Sequence, residues 1–196
     1  MKRNHIAIGY HGCDREIGER VLAGEIELRP STNDYDWLGS GVYLWENDEV
    51  RAWQWAKSLQ RHAKMSVGQI KEPFVVGVVV DLGDCLDLLQ ADSIRLVAEA
   101  HADLRQVTSE ASRSMPRNIR IKDEIALRRL DCAVIQHLHR RREEDRLSSF
   151  DTVRAAFPEG HELYPDAGFQ ERTHIQVCVR NTRQIVGCFR VKGRRA

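Results

Sequence analysis

One stretch, "FVVGVVVDLG" at residues 74–83, limits what this chain can fold into more than any other. β-Branched residues at that density fit a pleated strand, and the run ends in a turn, so the sequence predicts a central strand buried on both faces. Further strands are predicted towards both ends of the chain. "HIAIGY" (5–10) alternates, "FDTVRAAF" (150–157) reads as a strand, and "THIQVCVRN" (173–181) and "QIVGCFRV" (184–191) read as a closing pair. Helices are predicted between them. "DREIGERVLAGE" starts at Asp14 and stops at Gly24, and "NDEVRAWQWAKSLQRHAK" is capped by Asn47 or Asp48, with Val50, Trp53, Ala56 and Leu59 or Gln60 at helical spacing. Residues 91–112 read as helix, Pro116 breaks the pattern, and a further helix is predicted from about Asp123 to Arg142 with Ile125, Leu130, Val134 and Leu138 as its buried stripe. A doubly wound sheet would alternate strand and helix more regularly, so the pattern predicts one α+β domain over residues 1–196 with a helical insertion at about 91–146.

Composition excludes several classes. With 42% hydrophobic and 30% charged residues, the chain is neither disordered nor membrane-spanning, and no apolar run approaches the length of a transmembrane helix. The opening "MKRNHIAIGYHG" passes from charge straight into an alternating strand without a signal-type segment, which predicts a cytoplasmic protein. Five cysteines without CxxC spacing read as reduced core thiols, and eight histidines without a ligand spacing such as HExxH give no support to a metal site. Residues 1–90 carry ten Lys/Arg against fourteen Asp/Glu, and residues 91–196 carry twenty against fifteen. A basic second half suits a polyanionic partner only weakly, and "RRREED" (140–145) reads as a solvated helix end.

Residues 35–46, "YDWLGSGVYLWE", gather four aromatics and two glycines in a chain that is 7% aromatic. Taken alone, they read as a turn leading into a core strand, with Trp37, Val42 and Leu44 buried. Beside "YHG" (10–12) and "HIQ" (174–176), however, they make a constellation on three separate strands. Here the sequence resembles the ADP-ribosyltransferase family of the diphtheria-toxin and poly(ADP-ribose) polymerase type, whose site is His-Gly on the first strand, Tyr on a later one and Glu on another. His11 and Gly12 match the first element, and Tyr43 in "GSGVYLW" matches the second. Gln176 stands where the family has Glu, with His174 two residues before it and Glu171 in the preceding loop. Residues 82–148 carry no motif of the family.

The resemblance implies a split β-sheet core, NAD as the cofactor, and transfer of ADP-ribose with release of nicotinamide. Such a site must fix both halves of the dinucleotide and stabilise positive charge developing on the ribose. His11 would bond the adenosine ribose, and the Gly12 backbone would hold the nicotinamide amide. Tyr43 would stack on the ring, and Trp53 would close its other side. Gly39 and Gly41 would admit the backbone to the ligand, and Arg51 lies within the same cofactor region. Glutamine cannot carry a negative charge or take a proton, so Glu171 or His174 would supply the base, or the acceptor needs little help. The loop from Pro158 to Arg172 corresponds to the acceptor loop, with Tyr164, Phe169, Glu171 and Arg172 as contacts for a nucleic acid (RNA included) or a protein. Polymer formation is not expected without the glutamate.

Small members of this kind act as toxins in toxin–antitoxin or phage-defence operons, which implies an antitoxin protein as a further partner. Two other readings stay open. One is an NAD-binding module impaired in catalysis by Gln176; the other is an RNA 2'-phosphotransferase, for which Arg51 and Arg180 speak. Read alone, His11 is also a satisfied histidine at a strand end, and Trp37 and Trp55 read as ordinary core.

Overall fold

The valine run folds as a strand, Pro73–Asp81, inside a seven-stranded sheet. The computed structural model describes residues 5–61, 70–121 and 124–192. Its elements are β1 (Ile6–Asp14), α1 (Arg15–Leu22), β2 (Val42–Glu46), α2 (Glu49–Arg61), β3 (Pro73–Asp81), β4 (Cys85–Asp87), α3 (Ala91–Glu110), β5 (Ile119–Ile121), β6 (Glu124–Leu127), α4 (Arg129–Glu144), β7 (Thr152–Phe157), β8 (His174–Val179) and β9 (Ile185–Arg190). The class is α+β. The sheet runs β4-β7-β8-β2-β1-β3-β9, antiparallel throughout except where β4 meets β7, and β5 and β6 pair apart from it.

The sheet is continuous, and its pairing is shortest between β1 and β2. β1 stays in register with β3 along its whole length, but pairs with β2 only at Gly9↔Glu46 and Tyr10↔Trp45. It also curls, because the Thr152 hydroxyl at the start of β7 donates to the Leu82 carbonyl just past β3 at 2.6 Å, although four steps of the strand order separate β7 from β3. Each face carries its own core. On one, Val42, Leu44, Val76, Val78, Val80, Val177 and Val179 pack with Cys13, Leu28 and Val21 of α1. On the other, Leu38, Leu86, Val153, Ala155, Cys178 and Phe150 pack with Ile135 and Leu138 of α4, on which α3 rests. β3 is fully buried on the Val76–Val78–Val80 side, whereas Val75 and Val79 are half-buried.

Local chemistry sets the helix ends. The Asp14 carboxylate accepts from the Glu16 N–H to cap α1, Gly24 takes a φ of +73° just beyond it, and Asp48 caps α2 by accepting from the Arg51 N–H at 3.0 Å. Of the predicted stripe of α2, Ala56 is buried and Leu59 half-buried, but Val50 and Trp53 face outwards and Ala52 is buried in their stead. A Cβ on Gly12 would lie 2.2 Å from the Ala52 carbonyl oxygen, so helix and strand approach too closely for anything but small residues.

Two other expectations are corrected. The helix predicted from Asp123 begins at Arg129; β5 and β6 occupy residues before it, so the insertion is not wholly helical, and Asp123 itself lies outside the described residues. The last two strands do not pair with each other. β8 lies between β7 and β2, while β9 adds to β3 at the far edge, reached through the turn Thr182–Gln184. The end of the second predicted helix at His62–Lys64 and the final Gly193–Ala196 also lie outside the described residues. The five cysteines are free, and "RRREED" ends α4, with the Arg142 guanidinium 4.0 Å from the centre of the Phe150 ring. Among the described residues, no helix is long and apolar enough to cross a membrane, and no group of three or more His, Cys, Asp or Glu is placed to hold a metal.

Candidate functional site

The three strands that carry the constellation are neighbours, in the order β8-β2-β1. His11 stands where β1 parts from β2, and its Nδ1–H donates to the Tyr43 carbonyl at 3.0 Å, which leaves Nε2 as the acceptor of a neutral ring. Burial lowers its pKa and keeps it neutral, against the smaller opposing effect of that bond. The register places its half-buried side chain on the face of its partner Val76, whereas Tyr43 shares the face of its partner Cys178. The two residues therefore meet through one backbone hydrogen bond, from opposite faces.

Tyr43 anchors the loop before it. Its hydroxyl donates to the Gly39 carbonyl at 2.8 Å and accepts from the Leu38 N–H at 2.9 Å, and burial raises its pKa well above the usual value. Ser40 is gripped from α4 and from the residue just after β8: Gln136 donates to its hydroxyl at 2.5 Å, and Arg180 to its carbonyl at 3.4 Å. The two glycines are explained by this packing. Gly39 has a φ of +82°, and a Cβ on Gly41 would lie 2.5 Å from Cys178 Sγ and 2.6 Å from the Val179 carbonyl oxygen.

Gln176 lies directly across from Trp45 and is buried in a chain of hydrogen bonds. Trp37 Nε1–H donates to Gln176 Oε1 at 2.7 Å, Gln176 Nε2 donates to His174 Nε2 at 3.0 Å, and His174 Nδ1–H donates to the Arg172 carbonyl at 2.7 Å. Aromatic rings enclose the chain. His174 stacks on Phe157 with 5.2 Å between centroids, Trp37 meets Phe157 edge-on at 4.7 Å, and the Arg128 guanidinium lies 4.5 Å from the Phe157 centroid. Burial lowers the His174 pKa, and both ring nitrogens are engaged, so this neutral histidine is part of the scaffold and no free base.

An ion-pair hub borders this cluster. Glu159 takes Arg51 at 2.7 Å and Arg172 at 3.3 Å, and lies 4.0 Å from His174 Nδ1, which ties α2 to the loop before β8. Sequence reasoning missed Glu159, which sits in no motif. It also misplaced one tryptophan. Trp55, read as core, is 43% exposed and faces Trp45 at 5.8 Å. Trp53, read as the ring-closing residue, lies on the opposite flank of α2, equally exposed, beneath the Lys57 ammonium at 4.1 Å. In the outer loop Tyr164, Phe169 and Glu171 are exposed, and a Glu162↔Gln170 bridge closes it; these groups stand outside the cluster around Gln176.

Three histidines with depressed pKa values predict a pH response. His11, His174 and His139, the last held at about 4, are all depressed chiefly by burial. Below the unfolded value of about 6.5 the unfolded chain takes up these protons first, so their contribution is complete above that pH and declines as pH falls towards the folded values. Urea midpoints should fall between pH 7 and pH 4.5, and His139→Gln should flatten that fall. An unchanged slope in the variant would remove His139 from the account.

No family model and no solved structure matches the chain. It is similar to an uncharacterized protein of Methanocaldococcus jannaschii, 28% identical over 190 residues that cover 88% of this chain and 81% of that protein. That likeness carries no activity with it.

Proposed function

We propose that this protein is an NAD-dependent mono-ADP-ribosyltransferase that acts in the cytoplasm on a nucleic-acid or protein acceptor. The observation that supports it most is the adjacency of β8, β2 and β1, which makes neighbours of three strands whose motif residues are far apart in the sequence. The surroundings of Gln176 also suit a dinucleotide. Trp45 Nε1–H and Arg51 Nε–H are buried donors without an acceptor among the described residues, next to aromatic walls that accept a flat ring.

In this reading NAD supplies the scissile bond between ribose and nicotinamide. The Tyr43 ring, its hydroxyl already anchored, and the Gln176 amide, oriented by Trp37 and His174 to hydrogen-bond without bearing charge, lie on one face of the sheet, and His11, on the other, acts through its bond to the Tyr43 carbonyl. The loop ending at Arg172 would face the acceptor. Arg51 is neutralised by Glu159 and Arg180 is committed to Ser40 and Gln136, so neither favours the phosphotransferase reading. The engagement of Gln176 on both sides favours a second reading, a module that binds NAD without cleaving it.

The test is incubation of the purified protein with labelled NAD and total cell extract, separated into protein, RNA and DNA fractions. Label entering one fraction, with nicotinamide release, is expected. Binding without release would transfer the assignment to the module, and neither binding nor release would reject both.

A further inference from the structure

Two of the buried groups near His174 are hydrogen-bond donors with nothing to donate to. Trp45 is only 4% exposed, and no acceptor among the described residues meets its indole N–H. Arg51 uses its terminal nitrogens on Gln54 and Glu159, but its Nε–H, also buried, has no partner. An unmade buried hydrogen bond costs more than a made one contributes, so groups of this kind call for an explanation.

An aromatic surface stands beside them. Trp55 follows Arg51 by one helical turn on the same side of α2, and its half-exposed ring lies 5.8 Å from Trp45 at a tilt of 44°. Charge narrows the ligand further. Glu159, 2.7 Å from Arg51, offsets the guanidinium charge, so a bare anion would gain little here, whereas an uncharged edge rich in acceptors could use both donors. A purely apolar ring would leave them unmet.

We propose that Trp45, Arg51 and Trp55 form a subsite for a planar nitrogen heterocycle bearing hydrogen-bond acceptors. The ring stacks on Trp55, and its acceptor atoms take the Trp45 and Arg51 N–H groups. Because Trp45 lies opposite Gln176, the subsite adjoins the proposed reaction centre and deepens the reading given above, on which its place in catalysis rests. The same ring chemistry has two sources: a ring of NAD itself, or a base of a single-stranded nucleic-acid acceptor.

Equilibrium dialysis with labelled NAD and, separately, with a short labelled single-stranded RNA of mixed sequence tests this on the wild type, Trp45→Phe and Trp55→Ala. Trp45→Phe removes the N–H together with one of the two fused rings of a buried side chain, so its thermal midpoint should fall, and binding assayed well below that midpoint should weaken roughly tenfold. Trp55→Ala, at an exposed position that leaves the cores intact, should weaken binding of the stacked ring by about tenfold or more. Loss confined to NAD assigns the subsite to the dinucleotide, and loss confined to RNA assigns it to the acceptor. Unchanged binding of both probes in both variants overturns the proposal, as does a wild type that binds neither. Nicotinamide release that persists while binding is unaffected by either variant would sink the subsite and spare the transferase. RNA binding that depends on both tryptophans, with no release of nicotinamide, would sink the transferase and spare the subsite.

Discussion

Tyr43→Ala should lower stability by about 3–5 kcal/mol, and Tyr43→Phe by about 1–3 kcal/mol. The alanine variant removes a ring packed on the Leu38–Cys178 core as well as both hydroxyl bonds, whereas phenylalanine removes only the hydroxyl and leaves the Leu38 N–H and Gly39 carbonyl without that partner. The pair separates structure from chemistry. If the ring stacks on nicotinamide, Tyr43→Phe keeps nicotinamide release once it is assayed well below its unfolding midpoint, and Tyr43→Ala loses it. Urea denaturation followed by circular dichroism, with nicotinamide release measured alongside, reads both effects. An alanine variant as stable as the wild type would show that the hydroxyl does not hold the loop, and a phenylalanine variant that is folded but inactive would assign the chemistry to the hydroxyl.

Gln176→Glu should make stability depend on pH in the opposite sense from the histidines of depressed pKa. In the wild type, His174 Nε2 accepts from the Gln176 amide while Nδ1–H is committed to the Arg172 carbonyl. A carboxylate at position 176 would face a lone pair, and only a protonated His174 could meet it. The variant should therefore raise the His174 pKa above its unfolded value. The resulting pair is fully present below about pH 6.5 and is lost as pH rises through the folded pKa. Above that point the carboxylate stays buried and uncompensated, at a cost of about 3–5 kcal/mol. Urea midpoints at pH 5.5 and pH 8.5, with the His174 ring followed by NMR, would show the variant close to wild type at the lower pH and well below it at the higher. Equal deficits at the two values would reject the coupling. Nicotinamide release should be kept or raised at the lower pH, and its complete loss in a folded variant would mean that the amide has a role of its own.

The main strand and the cap of α1 were legible because each rests on local chemistry: a dense valine run, and Asp14 followed at the right distance by Gly24. Beyond Ala56 and Leu59, the buried face of α2 was not. Hydrophobic size favours Val50 and Trp53, but the approach of Gly12 to the Ala52 carbonyl selects alanines, a contact between residues forty apart. Nor was the hairpin before α4, where the apolar spacing through Ile125 and Leu130 fits helix and strand alike. Strand order was hidden too, since β8 and β9 follow one another in sequence yet flank opposite parts of the sheet. At the candidate site, the motifs of His11, Tyr43 and Gln176 could be assigned to three separate strands, though not to neighbouring ones. That Trp55 rather than Trp53 faces Trp45 turns on which flank of one helix is turned that way, and Glu159 is revealed only by the two arginines it joins.

The position of β8 between β2 and β7 also bears on when the site comes into being. β1 pairs with both β2 and β3 early in the chain, but the bond from Trp37 to Gln176 spans 139 residues, and contacts at that separation are slow to close. During synthesis, the N-terminal strands can pair on the ribosome while Tyr43 and the glycine loop still lack Cys178, Arg180 and Gln176 to hold them. The candidate site is therefore incomplete in the nascent chain and forms only when β8 pairs between β2 and β7.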